Sequence, residues 1–188
     1  MEIQIPKPKD RDLYLAQQVD QGSINALTKS IVEINTSDRE IEKIASLYGF
    51  SYTPEPIKIW IDSYGGYVYQ CLGLLGIIDN SLTPVHTIVT GCAMSCGFLI
   101  SISGHKRFGF SKSTYLYHQV SGGAFGKVKD MEEEILETKR LQKIIEDHTL
   151  EKTKIDPDKL RSVYDQKRDW FIDSKQALKL GVIDEIIK

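Results

Sequence analysis

Short apolar runs alternate with amphipathic segments along most of the sequence. Three runs, at residues 13–19, 57–61 and 85–89, predict strands, and the second is apolar enough to be buried. Between the first two runs, apolar residues recur at three- and four-residue steps and predict a helix face formed by Ile24, Leu27, Ile31 and Ile34. This alternation of strands and helices predicts a layered α/β fold with parallel strands.

Capping and turn signals locate most of the other elements. The spacing of Ser37 and Glu40 is typical of a capping box and predicts a second short helix that ends near Leu47. Loops are predicted at residues 52–56, which contain two prolines, and at residues 62–66. The remaining predictions are a helix to about residue 78, strands at 106–110, 114–117 and 182–183, and helices at 159–164 and 174–180.

A long helix is predicted over residues 127–152. Its apolar positions form a narrow stripe among many charged residues: Met131, Ile135, Leu141, Ile145 and His148. A stripe this thin suits contact with another helix or another subunit better than burial in a deep core. We therefore expect this helix to make intermolecular contacts.

Length and charge narrow the class of protein. The chain has 188 residues, which suits a single domain over residues 1–188. A formal net charge of −2 provides no basic excess for neutralising phosphates, which argues against a nucleic-acid partner. No apolar run approaches the roughly 20 residues of a membrane helix, and the first ten residues lack the apolar core of a signal peptide. We expect a cytoplasmic protein without a membrane partner.

The three cysteines, Cys71, Cys92 and Cys96, favour neither a disulfide framework nor a metal site. Their number is odd, and none has a histidine at metal-ligand spacing. All three lie in apolar stretches, where a free cysteine behaves as a small hydrophobic residue. Because Cys92 and Cys96 flank Ser95, a cysteine nucleophile is an alternative to a serine nucleophile.

One serine lies where a strand is followed directly by a helix. It belongs to Gly91-Cys-Ala-Met-Ser-Cys-Gly97, and small residues surround it. A turn of this kind holds Ser95 outward and directs the first free N–H groups of the helix toward the same place. An exposed nucleophile with nearby N–H donors is what acyl-transfer catalysis requires.

A serine nucleophile needs a base, and a histidine base needs an orienting carboxylate. His118 ends an apolar strand where a loop begins, the place where α/β sheets carry chemistry, and this position favours it over the other three histidines. Spacing leaves the carboxylate open among Asp165, Asp169, Asp173 and Asp184. The paired glycines before Tyr67 allow a close backbone approach and expose further N–H groups.

Six segments of the chain occur in an informative order. They read Asp62-Ser-Tyr-Gly-Gly66, Gly91-Cys-Ala-Met-Ser-Cys-Gly97, Leu116-Tyr-His-Gln119, Gly122-Gly-Ala-Phe-Gly126, Arg168-Asp-Trp-Phe171 and Ala177-Leu-Lys-Leu-Gly-Val-Ile-Asp184. In this order they resemble the proteolytic subunit of the Clp protease, over roughly residues 13–187. The resemblance implies the layered α/β fold of the ClpP/crotonase type, with a protruding handle helix in a region at about residues 119–153.

The resemblance also implies the chemistry. Ser95 would be the nucleophile, His118 the general base and acid, and Asp169 the carboxylate that orients the imidazole. The backbone N–H groups of Gly66 and Cys96 would form the oxyanion hole. Polypeptides would be cleaved through an acyl-enzyme inside a chamber of stacked seven-membered rings, without a metal or an organic cofactor.

The chain departs from the family pattern at three places. Tyr64 stands where the family has proline, and we expect it to loosen the turn or to point into the substrate groove. Only about a dozen residues precede Leu13, which puts docking of an AAA+ unfoldase in doubt. Residues 35–56 form a longer segment than in the family.

The sequence does not choose between two biological roles. One is a housekeeping protease, and the other is a specialised protease, such as a processing enzyme of a mobile element.

Peptide binding is expected along the glycine-rich segment. Backbone pairing with Gly122, Gly123 and Ala124 would add the substrate as an extra strand.

Two other functions are alternatives to a peptidase. One is an inactive ring subunit with a structural or regulatory role, and the other is an acyl-CoA enzyme of the crotonase fold. A membrane-associated Ser/Lys peptidase is a third and weaker alternative.

Overall fold

The computed structural model describes residues 10–188, and the N-terminal segment considered above for signals and docking lies outside them. The strands are β1 Asp12–Leu15, β2 Ile57–Ser63, β3 Val85–Met94, β4 Lys106–Phe110, β5 Thr114–Tyr117, β6 Trp170–Asp173 and β7 Glu185–Ile187. The helices are α1 Gln21–Leu47, α2 Val68–Asp79, α3 Cys96–Ile102, α4 Val128–Lys152, α5 Pro157–Asp165 and α6 Ser174–Lys179.

The strands form a mixed sheet that is mostly parallel. Its main path runs β1-β2-β3-β4-β7 with parallel pairing throughout. β5 pairs in parallel with β3, and β6 pairs antiparallel with β5. The prediction of an α/β fold with parallel strands is confirmed.

Strand β3 changes partner halfway along its length, and this change positions the candidate site. Residues 86–89 pair with β4, whereas residues 92–94 pair with β5. Between them the register with β2 shifts, so that Ile61 faces Val89 but Ser63 faces Ala93. An irregularity of this type bends a strand and redirects its end. The end of β3 therefore lies beside β5 rather than over β4.

The core lies between the sheet and the helices that cover it. Alternate residues of β2 are buried, at Ile57, Ile59 and Ile61, and the predicted face of α1 is buried in full. Every residue of α3 is buried, so this helix packs inside the molecule rather than on its surface. The residue that precedes α3 is consequently held in a fixed place.

The predicted break in the first helix is wrong. α1 runs without interruption from Gln21 to Leu47, and two polar residues at the predicted break make contacts that fit a continuous helix. Thr36 donates its hydroxyl to the Val32 carbonyl one turn earlier, at 2.9 Å. Asp38 is buried and accepts hydrogen bonds from Arg11. A true capping box stands at the start of α1, between Asp20 and Ser23.

One further prediction requires correction, and one strand was missed. The last strand is at Glu185–Ile187, and residues 182–183 precede it as buried loop residues. Strand β6 was not predicted, because its short sequence Trp-Phe-Ile-Asp has no distinctive pattern and is defined by its pairing with β5. The predicted strands at 106–110 and 114–117 are confirmed at both ends.

Helix α4 has two halves with different environments. Its buried residues all lie in the second half, at Leu141, Gln142, Ile145 and Thr149. The first half carries exposed apolar side chains at Val128, Ile135 and Leu136. The predicted long helix is confirmed, and its first half is not covered by the described part of this chain. Among residues 10–188, no helix has the length and apolar character needed to cross a membrane.

Candidate active site

Ser95 occupies the predicted turn between a strand and a helix. It directly follows β3, precedes α3 and has φ 55° and ψ −121°. A non-glycine residue with positive φ is uncommon and costs about 1–3 kcal/mol, and such residues cluster at functional sites. The Ser95 amide donates to the Leu116 carbonyl at 2.9 Å, while the Ser95 carbonyl accepts from the amide of Phe98 at 3.0 Å. The backbone on both sides of Ser95 is therefore fixed.

Glycines allow the turn after β2 to approach Ser95 closely. A Cβ atom at Gly65 would lie 2.6 Å from the Met94 carbonyl oxygen and 2.8 Å from Ser95 Cβ, and Gly65 has a φ of +95°. A Cβ atom at Gly97 would lie 2.9 Å from the Ser63 carbonyl oxygen. Only residues without a side chain fit this contact, because the two turns pack backbone to backbone.

Within residues 10–188, two N–H groups near Ser95 donate to no backbone carbonyl. Val19 donates to the Gly65 carbonyl and accepts from the Tyr67 amide, both at 2.8 Å. Because this bridge uses the groups on either side of Gly66, the N–H of Gly66 itself faces away from Val19. Cys96 is the first residue of α3, so its N–H has no acceptor within the helix. The Cys96 thiol donates to the Gly66 carbonyl at 3.3 Å and thus joins the two turns.

His118 follows β5, and Asp169 precedes β6. In the antiparallel register Leu116 faces Phe171 and Tyr117 faces Trp170. One further step along the same register sets His118 opposite Asp169, just beyond the end of the ladder. Neighbouring strands therefore bring together two residues that are far apart in the sequence.

The three side chains are not hydrogen-bonded to one another in this structure. Within residues 10–188, no hydrogen bond joins Ser95 to His118 or His118 to Asp169. His118 is half-buried, whereas Asp169 is exposed at the surface of this chain. Catalytic hydrogen bonds are often long or poorly aligned without substrate and tighten when it binds.

Ser95 and His118 line a common cavity of about 50 Å³, together with Gly66 and Cys96. Asp169 lies outside this lining. The rest of the wall combines apolar and polar side chains and is contributed by Val68, Leu99, Tyr117, Gln119, Val120, Ser121 and Ile145. Four of the five residues predicted for catalysis and the oxyanion hole thus meet at one enclosed place.

Comparison with known families agrees with this geometry. Residues 7–188 match the family model described as Clp protease. The chain belongs to the Clp protease family. The resemblance derived from the six segments is therefore confirmed.

Relatives named as the ATP-dependent Clp protease proteolytic subunit match nearly the whole chain. The protein from Deinococcus radiodurans is 28% identical over 181 residues, which is 95% of this chain and 81% of the relative. The protein from Streptococcus mutans is 30% identical over 189 residues, which is 96% of this chain and 86% of the relative. Similarity at this level extends over the fold as a whole rather than over a single segment.

Two side chains that support the site were not singled out from the sequence. Ser63 donates its hydroxyl to the Gln17 carbonyl at 2.6 Å and accepts from the Gly65 amide at 3.2 Å. Asp62 accepts from the Cys92 amide at 2.9 Å. Gly91 leaves the space for this contact, since a Cβ atom there would lie 2.5 Å from Asp62 Oδ1. The signal in the sequence is their position at the end of a buried strand.

The Clp family glycine-rich segment does not form a strand in this chain. Gly122, Gly123 and Ala124 are exposed and have no regular secondary structure. They line a second cavity, of about 250 Å³, between this segment and α4. Tyr64, which replaces the family proline, is exposed and lies on the turn that carries Gly66. Both positions are open to an incoming chain.

The cysteines do not provide a ready thiolate at the site. Burial, assisted by the Asp62 carboxylate, raises the pKa of Cys92 to about 11. Contact with Cys96 and complete burial raise the pKa of the Cys71 thiol. The pKa of Cys96 is lowered by its contact with Cys71, but its thiol is buried and is directed at the Gly66 carbonyl. These surroundings favour serine over cysteine as the nucleophile.

Proposed function

We propose that this chain is a serine endopeptidase subunit in which Ser95 attacks the peptide carbonyl. The observation that carries the proposal is the conformation of Ser95, whose positive φ holds it at an enclosed cavity lined also by His118. A strained backbone of this kind persists where a function selects for it. Membership of the Clp protease family supports the same chemistry.

The remaining groups have complementary roles in this proposal. His118 takes the Ser95 proton and passes it to the leaving amine, and Asp169 orients the imidazole. The N–H groups of Gly66 and Cys96 stabilise the oxyanion of the tetrahedral intermediate. Water then hydrolyses the acyl-enzyme, and no metal or organic cofactor is needed. The register of β5 and β6 supports the choice of Asp169 among the four candidate carboxylates.

A fluorophosphonate probe tests the nucleophile directly. We expect the assembled protein to be labelled and Ser95→Ala to lose the label completely, because the probe reacts only with an activated serine. Ser46→Ala is the matched control, since Ser46 is an exposed serine of α1, and it should be labelled like the unmodified protein. Absence of labelling in the assembled protein would favour the inactive ring subunit.

We also propose that substrates bind as an added strand along Gly122, Gly123 and Ala124. The exposed backbone of this segment is free to pair with an extended peptide. Gly123→Pro should reduce peptide cleavage about tenfold or more, because proline removes a backbone donor and restricts φ. Hydrolysis of a small ester, which needs no strand pairing, should be unchanged, and so should the assembled mass. Equal loss of both activities would contradict this binding mode.

The expected assembly is a pair of stacked seven-membered rings joined through α4. The exposed apolar residues in the first half of that helix support a contact with another copy of the chain. Relatives are named as ATP-dependent, which supports a partner of the AAA+ unfoldase type. Unfolded polypeptides or peptides are the expected substrates, and the cytoplasm is the expected location. Residues 35–47 extend α1 by about three turns and change the outer surface on which a partner would dock.

A further inference from the structure

The two proposed oxyanion donors are held by the fold in different ways. The N–H of Cys96 belongs to the first residue of α3, a helix that is buried along its whole length. The N–H of Gly66 belongs to a turn in which Gly65 and Gly66 both have positive φ. Glycines in such a turn have many other conformations available, so neighbouring contacts must select the one that brings this N–H to the cavity beside Ser95. The catalytic importance of those contacts rests on the proposed function.

Ser63, the last residue of β2, makes two hydrogen bonds through its hydroxyl. The hydroxyl donates to the Gln17 carbonyl at 2.6 Å and accepts from the Gly65 amide at 3.2 Å. The second bond spans two residues, as in turns where a serine hydroxyl takes the place of a backbone carbonyl. The side chain is 1% exposed, so water has little access to either bond. Ser63 thus fixes the start of the glycine turn and ties it to a neighbouring loop.

That neighbouring loop, between β1 and α1, supports the glycine turn through three hydrogen bonds. One is the bond from the Ser63 hydroxyl described above. In the other two, Val19 donates to the Gly65 carbonyl and accepts from the Tyr67 amide, both at 2.8 Å. The side of Gly66 that faces away from Val19 meets α3, where the Cys96 thiol donates to the Gly66 carbonyl at 3.3 Å. The position of the Gly66 N–H therefore depends on how the turn sits on this loop.

We propose that Ser63 is a positioning residue of the oxyanion hole, because its hydroxyl holds the glycine turn in the conformation that presents the Gly66 N–H to the substrate. Ser63 acts through Gly66, and Ser95 and His118 perform the chemistry. An oxyanion donor must lie about 3 Å from the developing charge. A misplacement of about 1 Å can lower a rate roughly a hundredfold. A small shift of the turn is therefore enough to lose most of what this donor contributes.

A proline at residue 64 offers a second way to restrict the same turn. Within residues 10–188, the Tyr64 amide donates no hydrogen bond, and Tyr64 does not have a positive φ. Ser63 before it is extended, which is the conformation that a residue preceding proline prefers. The Tyr64 side chain is 80% exposed and adds little to the packing. Tyr64→Pro should therefore fit the turn and make it less dependent on the Ser63 hydroxyl.

Ser63→Ala tests the proposal through its separate effects on kcat and KM. With a fluorogenic peptide, kcat should fall roughly tenfold or more while KM changes less than about twofold, because the oxyanion donors act mainly in the transition state. Ser63→Cys keeps a weaker donor and acceptor and should fall between the two proteins. It also provides the measurement if Ser63→Ala does not assemble. An unchanged kcat, or a change confined to KM, would overturn the proposal.

The same substitution in a Tyr64→Pro background tests how the hydroxyl acts. Proline fixes its own φ and so already restricts the turn. In this background Ser63→Ala should lower kcat less than about threefold, since the two restrictions are coupled. An equal loss in both backgrounds would show that the hydroxyl does not act through the conformation of the turn, and the proposal would be wrong.

Ser174→Ala is the matched control. Ser174 is 2% exposed, and its hydroxyl donates at 2.7 Å to the carbonyl of Phe110, 64 residues away in the sequence. It follows Asp173, which pairs with Thr114 at the end of β5 remote from His118. This variant should lower the urea midpoint of unfolding about as much as Ser63→Ala does, but leave kcat unchanged. Equal losses of kcat would mean that the effect is one of general stability.

Failure of the proposed function would be seen separately. If no peptide is cleaved in a Ser95-dependent manner, the peptidase assignment fails, and the hold on the turn is then measured by hydrogen exchange. The amides of Val19 and Tyr67 bond between the loop and the turn and report on their contact. Ser63→Ala should speed their exchange by about tenfold or more, and adding Tyr64→Pro should reverse most of this change. Unchanged exchange in Ser63→Ala would overturn the role assigned to Ser63.

Discussion

At the scale of single residues, the candidate site depends on backbone conformation as much as on reactive side chains. Ser95 has a positive φ, and Gly65 and Gly66 have φ values of +95° and +154°. The turn after β2 lies so close to Ser95 that an added methyl group would overlap its backbone neighbours. Positions of this kind tolerate almost no substitution, although they carry no functional group.

Gly65→Ala tests this packing. The new Cβ atom would approach the Cys96 amide nitrogen to 2.9 Å, so the turn must shift and separate Gly66 from Cys96, the two proposed oxyanion donors. We expect peptidase activity to fall at least tenfold and the free energy of unfolding to fall by about 1–3 kcal/mol. Peptide hydrolysis and chemical denaturation measure the two effects.

Gly73→Ala is the control for that substitution. Gly73 lies in α2, and nothing lies within 4 Å of an added Cβ atom. Because alanine favours a helix over glycine, this variant should be slightly more stable, by about 0.5–1 kcal/mol, and fully active. Equal losses in the two variants would contradict a specific role for Gly65.

At the scale of elements, a buried ion pair holds the long first helix against the sheet. The Arg11 guanidinium donates to both carboxylate oxygens of Asp38, at 2.9 and 2.5 Å. Tyr52 and Thr83 donate to the same carboxylate, at 2.7 and 2.5 Å. The four residues come from four distant parts of the chain, so this cluster fixes the path of residues 35–56.

Asp38→Asn tests the contribution of this cluster. Burial opposes ionisation of Asp38, but the hydrogen bonds from Arg11, Thr83 and Tyr52 outweigh it and lower its pKa. Removing the charge leaves the partly buried Arg11 guanidinium without its charged partner and should cost about 1–3 kcal/mol near pH 7. Urea unfolding at a series of pH values measures the cost.

The stability that ionised Asp38 contributes depends on pH in a definite direction. Because the pKa of Asp38 is lowered in the folded state, its stabilisation is complete above the unfolded value of about 3.9 and is lost as the pH falls through the folded value. The difference between the two proteins should therefore be constant above about pH 5 and shrink below about pH 4. Glu132→Gln, in an exposed pair with Lys129, should change stability by less than about 0.5 kcal/mol. A constant difference down to pH 2 would rule out this account.

At the scale of the whole molecule, the first half of α4 presents apolar side chains that the described part of the chain leaves exposed. Val128 is 65% exposed and Leu136 is 65% exposed, and neither packs on the core of this chain. The second half of the same helix is anchored by Leu141 and Ile145. A helix that is anchored at one end and apolar at the other is suited to contact with a second copy.

Leu136→Asp tests the proposed assembly through α4. A charge in an apolar contact between subunits should separate the stacked rings and halve the assembled mass, because an unpaired buried charge is costly. Light scattering after gel filtration measures the mass. Glu133→Gln, an exposed position in the same half of the helix, should leave it unchanged. An unaltered mass for Leu136→Asp would exclude this surface from the proposed contact.

The sequence by itself determined the elements whose pattern is local. The apolar stripe of α1, the full length of α4 and both ends of β4 and β5 follow from residue spacing within each segment. The turn at Ser95 also follows, since a strand pattern, small residues and a helix pattern succeed one another there. These features need no information from distant residues, because periodicity and steric preference act within a few residues.

The tertiary structure alone decided those features that depend on contacts between residues far apart in the sequence. Strand β6 exists because β5 lies beside it, and the pairing of Tyr117 with Trp170 puts the following His118 and the preceding Asp169 at the same end of the two strands. Spacing along the chain could not predict this. The continuity of α1 depends on Arg11 and Thr83, which reach Asp38 from other elements.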